Sequence, residues 1–597
     1  MQQKEQPDNL VEFLETCVAR YPDRPLFGTK TPEGTYQWAT YREIGRRVDD
    51  LRAGLAGLGV GRGDAVGIIA NNRTEWAIAA YATYGLGCRF VPMYETELPR
   101  IWQHIVTDSA IKVLFVATPE ILEKVKDSPG KIPTLKHLIL IEGKGAGSME
   151  ALEAEGRAHP VKSIRPQADE IASLIYTSGT TGEPKGVLLS HGNCTSNSMA
   201  GVRMFPELVG QGDVSLSILP WAHSYGQTAE LNAMIYLGGA IGFIESVKTV
   251  VRDMALVRPT WLIAVPRVFN RIYNGLWEKM NEEGGIARKL FVMGVEAAKR
   301  RRELATADRT DFITELKFRL ADRVVFAQIR RKMGGRLKGA MSGSAAMNVE
   351  IAHFFFDVGI PIYDCYGMTE ASPAIAMNAS FAYRLGSVGR AIDKVRIVID
   401  SSVVEPGAKD GEIIVYGPNV MKGYHNKPEK TREVMTPDGG LRTGDRGRLD
   451  EDGYLFITGR IKDQFKLENG KFVFPDALEE EISLVPWVQN VFITGDNRAY
   501  TVCLVVPDFP MLEKYAKEHG LPHDISALVA NPDVQAMITG EILKALQGRY
   551  ANYEIPKKFL YLPEVFTSEN GMLTQTMKLK RRVVLDKFKD RIEALYA

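Results

Sequence analysis

The sequence predicts an α/β protein built on parallel sheets, and three observations support that prediction. Patterns of helical periodicity alternate with short apolar runs through the first third of the chain. These runs are apolar at nearly every position, as is typical of strands covered by helices on both faces. The composition is that of a globular chain, with 45% apolar and 25% charged residues in 597. This length suggests about four structural units.

The first predicted helix rests on apolar residues spaced three and four apart, which places them on one face. They are Ile44, Val48, Leu51, Leu55 and Leu58. Thr40 and Glu43 form a capping box before this face, and Gly59 can end the helix. The elements predicted after it are a strand at 65–70, a helix at 75–86, and strands at 89–94, 113–117 and 138–142.

Two later regions differ from the first third in composition and in predicted elements. Residues 288–338 are helix-forming and carry nine more basic than acidic residues, including Arg300, Arg301 and Arg302 in succession. They form either a solvated helical face or a patch that attracts acidic headgroups or a polyanionic cofactor. After about residue 460, strands at 490–495 and 499–506 mix with helices, one of them near 541–550. A smaller α+β domain is predicted there, after a joint at 460–463.

Composition excludes several classes of protein. A net charge of +1 argues against a nucleic-acid binder driven by overall charge. Five scattered cysteines without a CxxC pair predict a reduced compartment, with no disulfide scaffold or zinc site. The polar start has no signal-peptide pattern, and the apolar run at 76–88 is too short to span a membrane. We therefore expect a cytoplasmic protein, with peripheral membrane contact through the basic region as a further expectation.

The segment from Tyr176 to Gly186, YTSGTTGEPKG, carries the strongest chemical signal. Its glycines allow backbone N–H groups to converge on an anion, and its hydroxyls and lysine add donors and charge. The residues that would cradle phosphates are Thr177, Ser178, Gly179, Thr180, Thr181, Gly182 and Lys185. A flexible hairpin loop is the alternative. The segment lacks the Gly-Lys-Ser/Thr end of a Walker loop, and Pro184 disfavours a continuous helix.

Taken with four later motifs, this segment resembles the signature of the adenylate-forming superfamily of acyl-CoA synthetases, luciferases and adenylation domains. The later motifs are DCYGMTE at 364–370, LRTGD at 441–445, GRIKD at 459–463 and TQTMK at 574–578. The resemblance implies a large N-terminal domain of doubly wound parallel sheets with a small barrel-like subdomain, at 1–461. It also implies a small, mobile α+β lid, at 462–597, that carries the catalytic lysine.

The resemblance also assigns roles. Lys578 would reach the substrate carboxylate and the α-phosphate of ATP, and neighbouring Lys580 is the alternative for this role. Thr369 would contact the α-phosphate. Glu370 would hold Mg²⁺ together with Thr180. Asp445 would accept from the ribose hydroxyls, and Arg460 would hold ribose or phosphate. Lys462 would act as the hinge. The residues placed around adenine are Gly343, Ser344, Ala345, Asp364, Cys365, Tyr366 and Gly367.

The sequence identifies the substrate acid and its acceptor less clearly than the reaction. AVPRVFNRIY at 264–273, RLGSVG at 384–389 and the block at 439–466 resemble long-chain fatty acyl-CoA synthetases. His223 would line the acyl pocket with Gly343 and Gly367, and Trp221 would either gate it or be a core aromatic. Gly470 would lie along a tunnel for CoA. The residues after His223 are Ser-Tyr-Gly-Gln instead of the usual Phe-Glu-Arg, so the chain length of the acid stays open.

The function expected from this resemblance is ATP- and Mg²⁺-dependent ligation of a fatty acid, long-chain favoured, to coenzyme A through an acyl-AMP. Alternatives are a fatty acyl-AMP ligase that loads a carrier protein, a medium-chain or aryl acid CoA ligase, a non-catalytic nucleotide-binding protein and, more distantly, a luciferase-like oxygenase. The expected partners are the fatty acid and CoA, without nucleic acid. The sequence does not indicate the oligomeric state.

Overall fold

The structure is a computed structural model that describes residues 7–177, 184–404, 407–574 and 578–597. Within these ranges, no helix combines the length and the apolar character that a membrane crossing needs. The strands are β1 Pro25–Lys30, β2 Tyr36–Thr40, β3 Ala65–Ile69, β4 Arg89–Met93, β5 Ile111–Val116, β6 His137–Leu140, β7 Ile171–Thr177, β8 Lys185–Ser190, β9 Val214–Ser217, β10 Ala240–Phe243, β11 Trp261–Ala264, β12 Gly339–Ser342, β13 Ile362–Gly367, β14 Ala374–Met377, β15 Arg390–Ala391, β16 Arg396–Asp400, β17 Gly411–Tyr416, β18 Gly423–Tyr424, β19 Leu441–Leu449, β20 Leu455–Arg460, β21 Phe465–Lys466, β22 Phe472–Val473, β23 Val488–Thr494, β24 Val502–Pro507 and β25 Lys558–Tyr561.

The helices connect and cover these strands. The α-helices are α1 Leu10–Arg20, α2 Tyr41–Gly57, α3 Thr74–Tyr84, α4 Pro99–Asp108, α5 Pro119–Val125, α6 Ser128–Lys131, α7 Met149–Ala158, α8 His191–Arg203, α9 Ala233–Leu237, α10 Val250–Val257, α11 Pro266–Glu283, α12 Gly285–Thr306, α13 Phe312–Ala321, α14 Ala327–Lys332, α15 Val349–Asp357, α16 Pro428–Val434, α17 Pro475–Ile482, α18 Phe509–His519, α19 Ile525–Ala530, α20 Pro532–Leu546 and α21 Arg581–Glu593. Short 3-10 or π segments lie at Gly226–Asn232, Val247–Thr249, Asp322–Phe326, Thr369–Ala371 and Ser401–Val403.

Two large sheets form the body of the molecule. One has the order β18-β8-β7-β4-β3-β5-β6, with parallel pairing from β7 through β6. The other has the order β15-β14-β13-β12-β11-β9-β10-β1-β2, with parallel pairing from β13 through β1. The predicted parallel α/β architecture is therefore confirmed. The non-sequential strand order shows that each sheet is built through crossover connections.

The local predictions in the first third are confirmed. Helix α2 buries the predicted apolar face, and its capping box is complete because Glu43 accepts from the Thr40 backbone N–H at 2.7 Å. The next predicted elements correspond to β3, α3, β4, β5 and β6. Strand β3 is buried at every position, as expected of a strand with helices on both sides.

The rest of the chain forms smaller units. Strands β16, β17, β19 and β20 make a four-stranded antiparallel sheet, the small subdomain of the expected fold. Helices α12, α13 and α14 occupy the basic region 288–338, as predicted. Beyond β20, a three-stranded sheet of β23, β24 and β25 packs with α17–α21. Residues 465–592 supply both hydrophobic clusters of that region, so it has a core of its own.

The contact between α2 and α7 depends on glycine. A Cβ on Gly156 would lie 1.9 Å from the carbonyl oxygen of Asp50, and one on Gly57 would meet nothing within 4 Å. We expect Gly156→Ala to separate the two helices at a cost of about 1–3 kcal/mol, which lowers Tm by about 4–10 °C. Gly57→Ala is the matched control and should leave Tm unchanged or slightly raised. Equal Tm values for the two variants would contradict this account of the packing.

Candidate active site

One cavity of about 1240 Å³ brings together residues from distant parts of the chain. Its walls come from the β7/β8 hairpin, the carboxyl ends of β12 and β13, strands β19 and β20, and the segment before α21. Ligands in α/β proteins bind at such strand ends. The predicted site residues that line the cavity are Thr177, Lys185, His223, Gly343, Ser344, Cys365, Tyr366, Gly367, Thr369, Glu370, Asp445, Arg460, Lys462 and Lys578.

The predicted phosphate cradle begins and ends on paired strands. Thr177 at the end of β7 lies opposite Lys185 at the start of β8. The Lys185 ammonium sits 4.8 Å from the centre of the Tyr424 ring. Burial lowers the pKa of Lys185, while the Glu370 carboxylate opposes that shift. The predicted residues between the strands, Ser178, Gly179, Thr180, Thr181 and Gly182, lie outside the described residues.

Close packing at the ends of β12 and β13 requires small residues. A Cβ on Gly367 would lie 2.0 Å from the carbonyl oxygen of Pro373. Ser344 adopts φ 73°, a left-handed conformation that costs free energy for a residue with a side chain and is frequent at functional sites. Two predictions need correction. Asp364 is buried beneath the wall, where burial raises its pKa to about 8. Ala345 is exposed and does not line the cavity.

Glu370 lies in the 3-10 turn that follows β13. Its Oε1 accepts a hydrogen bond of 2.8 Å from the hydroxyl of Tyr424. Next to it, the Thr369 hydroxyl lies 3.0 Å from that of Ser224. The described residues contain no cluster of three or more His, Cys, Asp or Glu suited to a metal. A single carboxylate fits Mg²⁺ that arrives with the phosphates of a nucleotide, since protein sites often supply one or two carboxylates for such an ion.

Asp445 is the centre of a hydrogen-bonded group. The Tyr366 hydroxyl donates to its Oδ2 at 2.7 Å, and the Arg460 guanidinium pairs with its Oδ1 at 2.9 Å. Strands β19 and β20 place Asp445 and Arg460 directly opposite each other. The Asp445 backbone N–H donates to the hydroxyl of Thr443 at 3.1 Å. A carboxylate has about four acceptor sites, so Asp445 keeps capacity for two further donors such as ribose hydroxyls.

Lys578 reaches this group from the C-terminal region. A bridge between Leu573 and Leu579 closes a short hairpin, and the Lys578 N–H donates to the Thr574 hydroxyl at 3.0 Å. Burial in the cavity lowers the pKa of Lys578, and the positive charge of Arg460 adds to the effect. The Asp445 and Glu370 carboxylates oppose it. These electrostatic neighbours favour Lys578 over Lys580, which also lines the cavity.

Arg581 anchors the base of the Lys578 hairpin. Its guanidinium pairs with Glu479 of α17 at 2.7 Å and donates to the Ile493 carbonyl at 2.7 Å. The second Glu479 oxygen accepts from the Ile493 N–H at 2.6 Å. Burial raises the pKa of Glu479 to about 7, and the Arg581 charge opposes that shift. This network fixes the start of α21 against α17 and β23.

His223 lines the cavity, and it is neutral near pH 7. Burial lowers its pKa to about 4, with a contribution from Lys578. Its Nδ1 accepts from the Tyr225 N–H at 3.1 Å, so the proton of the neutral ring is on Nε2. Of the two alternatives for Trp221, the structure fits the core aromatic, because its side chain does not line the cavity. It is fully buried and donates to the Glu230 carboxylate at 2.9 Å, as a core aromatic does.

The remaining two predictions concern the region after β20. Lys462 lies just beyond the strand and lines the cavity. Gly470 adopts φ 81° in the turn between β21 and β22 and lies outside the cavity wall. Its contact with CoA stays a prediction.

Sequence reasoning missed an apolar section of the cavity and several supporting groups. The apolar lining comes from α8 to β14 and includes Val202, Phe205, Val209, Ala229, Ala233, Met234, Leu237, Trp261, Ile263, Met341 and Met377. These side chains are too far apart in sequence to form a recognisable pattern. Tyr424, Thr443 and Arg581 were also missed, because nothing in their local sequence distinguishes them from structural residues.

Comparisons with known proteins agree with this geometry. Models of two protein families match the chain: AMP-binding enzyme over residues 14–425, and AMP-binding enzyme C-terminal domain over 462–597. The long-chain-fatty-acid–CoA ligase FadD15 of Mycobacterium bovis is 32% identical over 99% of this chain and 97% of that protein. Long chain acyl-CoA synthetase 7, peroxisomal, of Arabidopsis thaliana is 30% identical over 99% of this chain and 86% of that protein.

Solved structures show the same fold. The anthranilate CoA ligase AuaEII in complex with anthranoyl-AMP aligns with a TM-score of 0.75 at 20% identity, over 98% of both chains. ATP-bound MatB from Rhodopseudomonas palustris aligns with a TM-score of 0.72 at 24% identity, over 98% of this chain and 99% of that one.

Proposed function

We propose that this chain, which belongs to the AMP-binding enzyme family, joins a long-chain fatty acid to coenzyme A with conversion of ATP to AMP and pyrophosphate. The observation that carries the proposal is the meeting of Lys185, Arg460 and Lys578 with Glu370 and Asp445 in one cavity that also has an apolar section. Cations and hydrogen-bond donors suit the phosphates and carboxylate, and the apolar section suits a hydrocarbon chain.

In the first half-reaction, a carboxylate oxygen of the acid attacks the α-phosphorus of ATP. The bond from that phosphorus to the bridging oxygen of the β-phosphate breaks, and pyrophosphate leaves. Lys578 reduces the repulsion between the two anions, and Thr369 donates to the α-phosphate. Asp445 holds the ribose, and Tyr366, fixed through its hydroxyl, faces the base. Glu370 holds Mg²⁺, which would neutralise phosphate charge when bound.

In the second half-reaction, the thiolate of CoA attacks the acyl carbon and AMP leaves. We propose that residues 462–597 turn at 460–463 between the two steps, with Lys462 as the hinge residue and residues 1–461 fixed. Gly470 would then lie along the path of CoA. The Arg581–Glu479 pair lies entirely within 462–597, so it would move with Lys578 as a unit.

A long-chain acid is favoured by the apolar lining and by relatives whose names specify long-chain substrates. Acyl transfer to a carrier protein, or a medium-chain or aryl acid substrate, are the alternatives that the assays below distinguish. We further propose a cytoplasmic location. The oligomeric state stays open.

Lys578 is expected to act in the first half-reaction only. Lys578→Ala should lower pyrophosphate release by on the order of 100-fold or more, and thioester formation from preformed acyl-AMP should be retained. The pKa of Lys578 is lowered from 10.5. As the pH is raised, kcat/KM for ATP should therefore begin to decline before pH 10.5 is reached, because the ammonium loses its proton. Lys578→Arg should move this alkaline limb to higher pH, since a guanidinium keeps its charge. Undiminished pyrophosphate release in Lys578→Ala would overturn the assignment, and Lys580→Ala is the control.

The substrate class is tested by pyrophosphate release over acids from acetate to oleate and over aryl acids, with and without CoA. We expect kcat/KM to rise with chain length by up to about fourfold per methylene until the apolar section is filled. Ala233→Phe should lower activity with palmitate by about tenfold or more, relative to hexanoate in the same variant.

The same assay distinguishes the alternatives. Formation of acyl-AMP but no acyl-CoA when CoA is present would favour the carrier-protein alternative. Selection of aryl acids would exclude the fatty acid.

Tyr424 is expected to orient Glu370 for Mg²⁺. Tyr424→Phe keeps the ring beneath Lys185 and removes only the hydroxyl, so the Mg²⁺ concentration for half-maximal pyrophosphate release should rise by about tenfold. Tyr416→Phe is the matched control, because its hydroxyl bonds Asp438 at 2.9 Å on the exposed surface. An unchanged Mg²⁺ dependence in Tyr424→Phe would remove the tyrosine hydroxyl from the metal site.

A further inference from the structure

The outer side of α13 carries exposed apolar side chains that the proposed reaction does not use. Phe312 is 80% exposed, Ile313 61%, Leu316 59% and Leu320 48%. With Val324 in the π turn that follows, they form what we call the 312–324 stripe. A contiguous exposed patch of large apolar groups usually marks a contact surface.

The stripe follows from helical spacing. Phe312, Leu316, Leu320 and Val324 are four residues apart, so they lie on one side of the helix. The opposite side is already packed. Ala321 and Phe326 are buried there, and a Cβ on Gly294 of α12 would lie 2.6 Å from that of Ala321. The helix is therefore held to the body by one side, and its second apolar side faces outward.

Basic groups flank the stripe. Lys317 and Arg323 are exposed and make no ion pair with any described residue, and Arg319, whose side chain is 80% exposed, lies 3.8 Å from the Glu315 carboxylate. The nearby acidic groups are engaged elsewhere. Glu315 pairs with Arg301 at 2.6 Å, and Asp322 pairs with Arg330 at 2.7 Å. Asp311, also exposed, accepts from the Thr314 N–H at 2.8 Å as the cap of the helix. Lys317 and Arg323 therefore supply positive charge beside the stripe that these carboxylates do not pair.

The expected basic patch of Arg300, Arg301 and Arg302 is a poorer candidate. Arg300 pairs with Glu303 at 3.1 Å, Arg301 with Glu315, and Arg302 with Asp357. Much of their charge is balanced within the protein, so these three arginines offer little free charge to anionic headgroups.

We propose that the 312–324 stripe docks on the surface of a lipid bilayer that contains anionic headgroups. An interfacial helix buries apolar side chains at the headgroup boundary while lysine and arginine pair with phosphates, and the stripe presents both features. A second copy of the chain fits less well. A two-fold contact through the stripe would bring the flanking cations of the two copies together.

The test is co-sedimentation of the full chain with vesicles in the absence of ATP, acid and CoA. One vesicle is phosphatidylcholine alone, and the other contains about one third phosphatidylglycerol. The wild-type chain should bind the anionic vesicles. The double substitution Leu316→Gln with Leu320→Gln should lower the partition coefficient by about tenfold or more. Lys317→Gln with Arg323→Gln should lower the preference for anionic over neutral vesicles, and added salt should do the same.

Val251→Gln with Leu256→Gln is the matched control, because these α10 side chains are also exposed, at 52% and 46%, but lie outside the stripe. It should bind as the wild type does. Tm confirms that each variant is folded. Unchanged binding of the Leu316/Leu320 variant, or no binding by the wild type, would overturn the proposal. Concentration-dependent self-association that this variant abolishes would assign the stripe to a second copy instead. Pyrophosphate release from soluble substrates is measured separately, so failure of the proposed reaction would not mimic failure of the docking surface.

Discussion

The site depends on holding several cations close together in a cavity before any anion binds. Lys185, Arg460 and Lys578 come from three separated segments, and repulsion from Arg460 contributes to the lowered pKa of Lys578. The carboxylates of Asp445 and Glu370 stabilise the charged forms of these side chains, since each raises the pKa of a neighbouring lysine or arginine. Burial is the largest cause of the lowered pKa of both Lys185 and Lys578, and the carboxylates only partly oppose it. A polyanion bound beside them would favour their charged forms, so the site is electrostatically suited to phosphates.

The fold supplies this arrangement through strand ends. Parallel strands β12 and β13 end side by side, so the Gly343–Ser344 turn and the Tyr366–Gly367 pair meet at one edge. Antiparallel β19 and β20 place Asp445 opposite Arg460. Lys578 depends on the separate core of the C-terminal region, where Arg581 pairs with Glu479. The N-terminal part of the site is thus built from sheets, and Lys578 has a support of its own that would move with it in the proposed turn.

Local structure was predictable where neighbours in sequence decide it. Helix α2 follows from its own apolar spacing and from a capping box formed within four residues. The site was predictable only through the resemblance, because its members are scattered from 177 to 578. Trp221 and His223 illustrate the limit. They are two residues apart, yet one packs in the core against Glu230 and the other faces the cavity. Likewise, three consecutive arginines suggest a free basic patch until Glu315 and Asp357, distant in sequence, are seen to pair with them.

The contacts divide into those that a turn of residues 462–597 would keep and those that it would break. The Arg581–Glu479 pair lies within the moving part and survives. Two electrostatic interactions join residues 462–597 to residues 1–461: that of Lys578 with Asp445, and that of Glu480 with Asp364. Burial raises the pKa of both Glu480 and Asp364 to about 8 in this arrangement. Exposure of Glu480 on the proposed turn would return its carboxyl toward its ordinary pKa near 4. The present arrangement therefore binds protons that the turned one releases, and it loses stability relative to the turned one as pH rises between those values. The proposed turn would therefore break the attraction between Lys578 and Asp445 and release protons from the carboxyl pair, so its equilibrium would depend on pH.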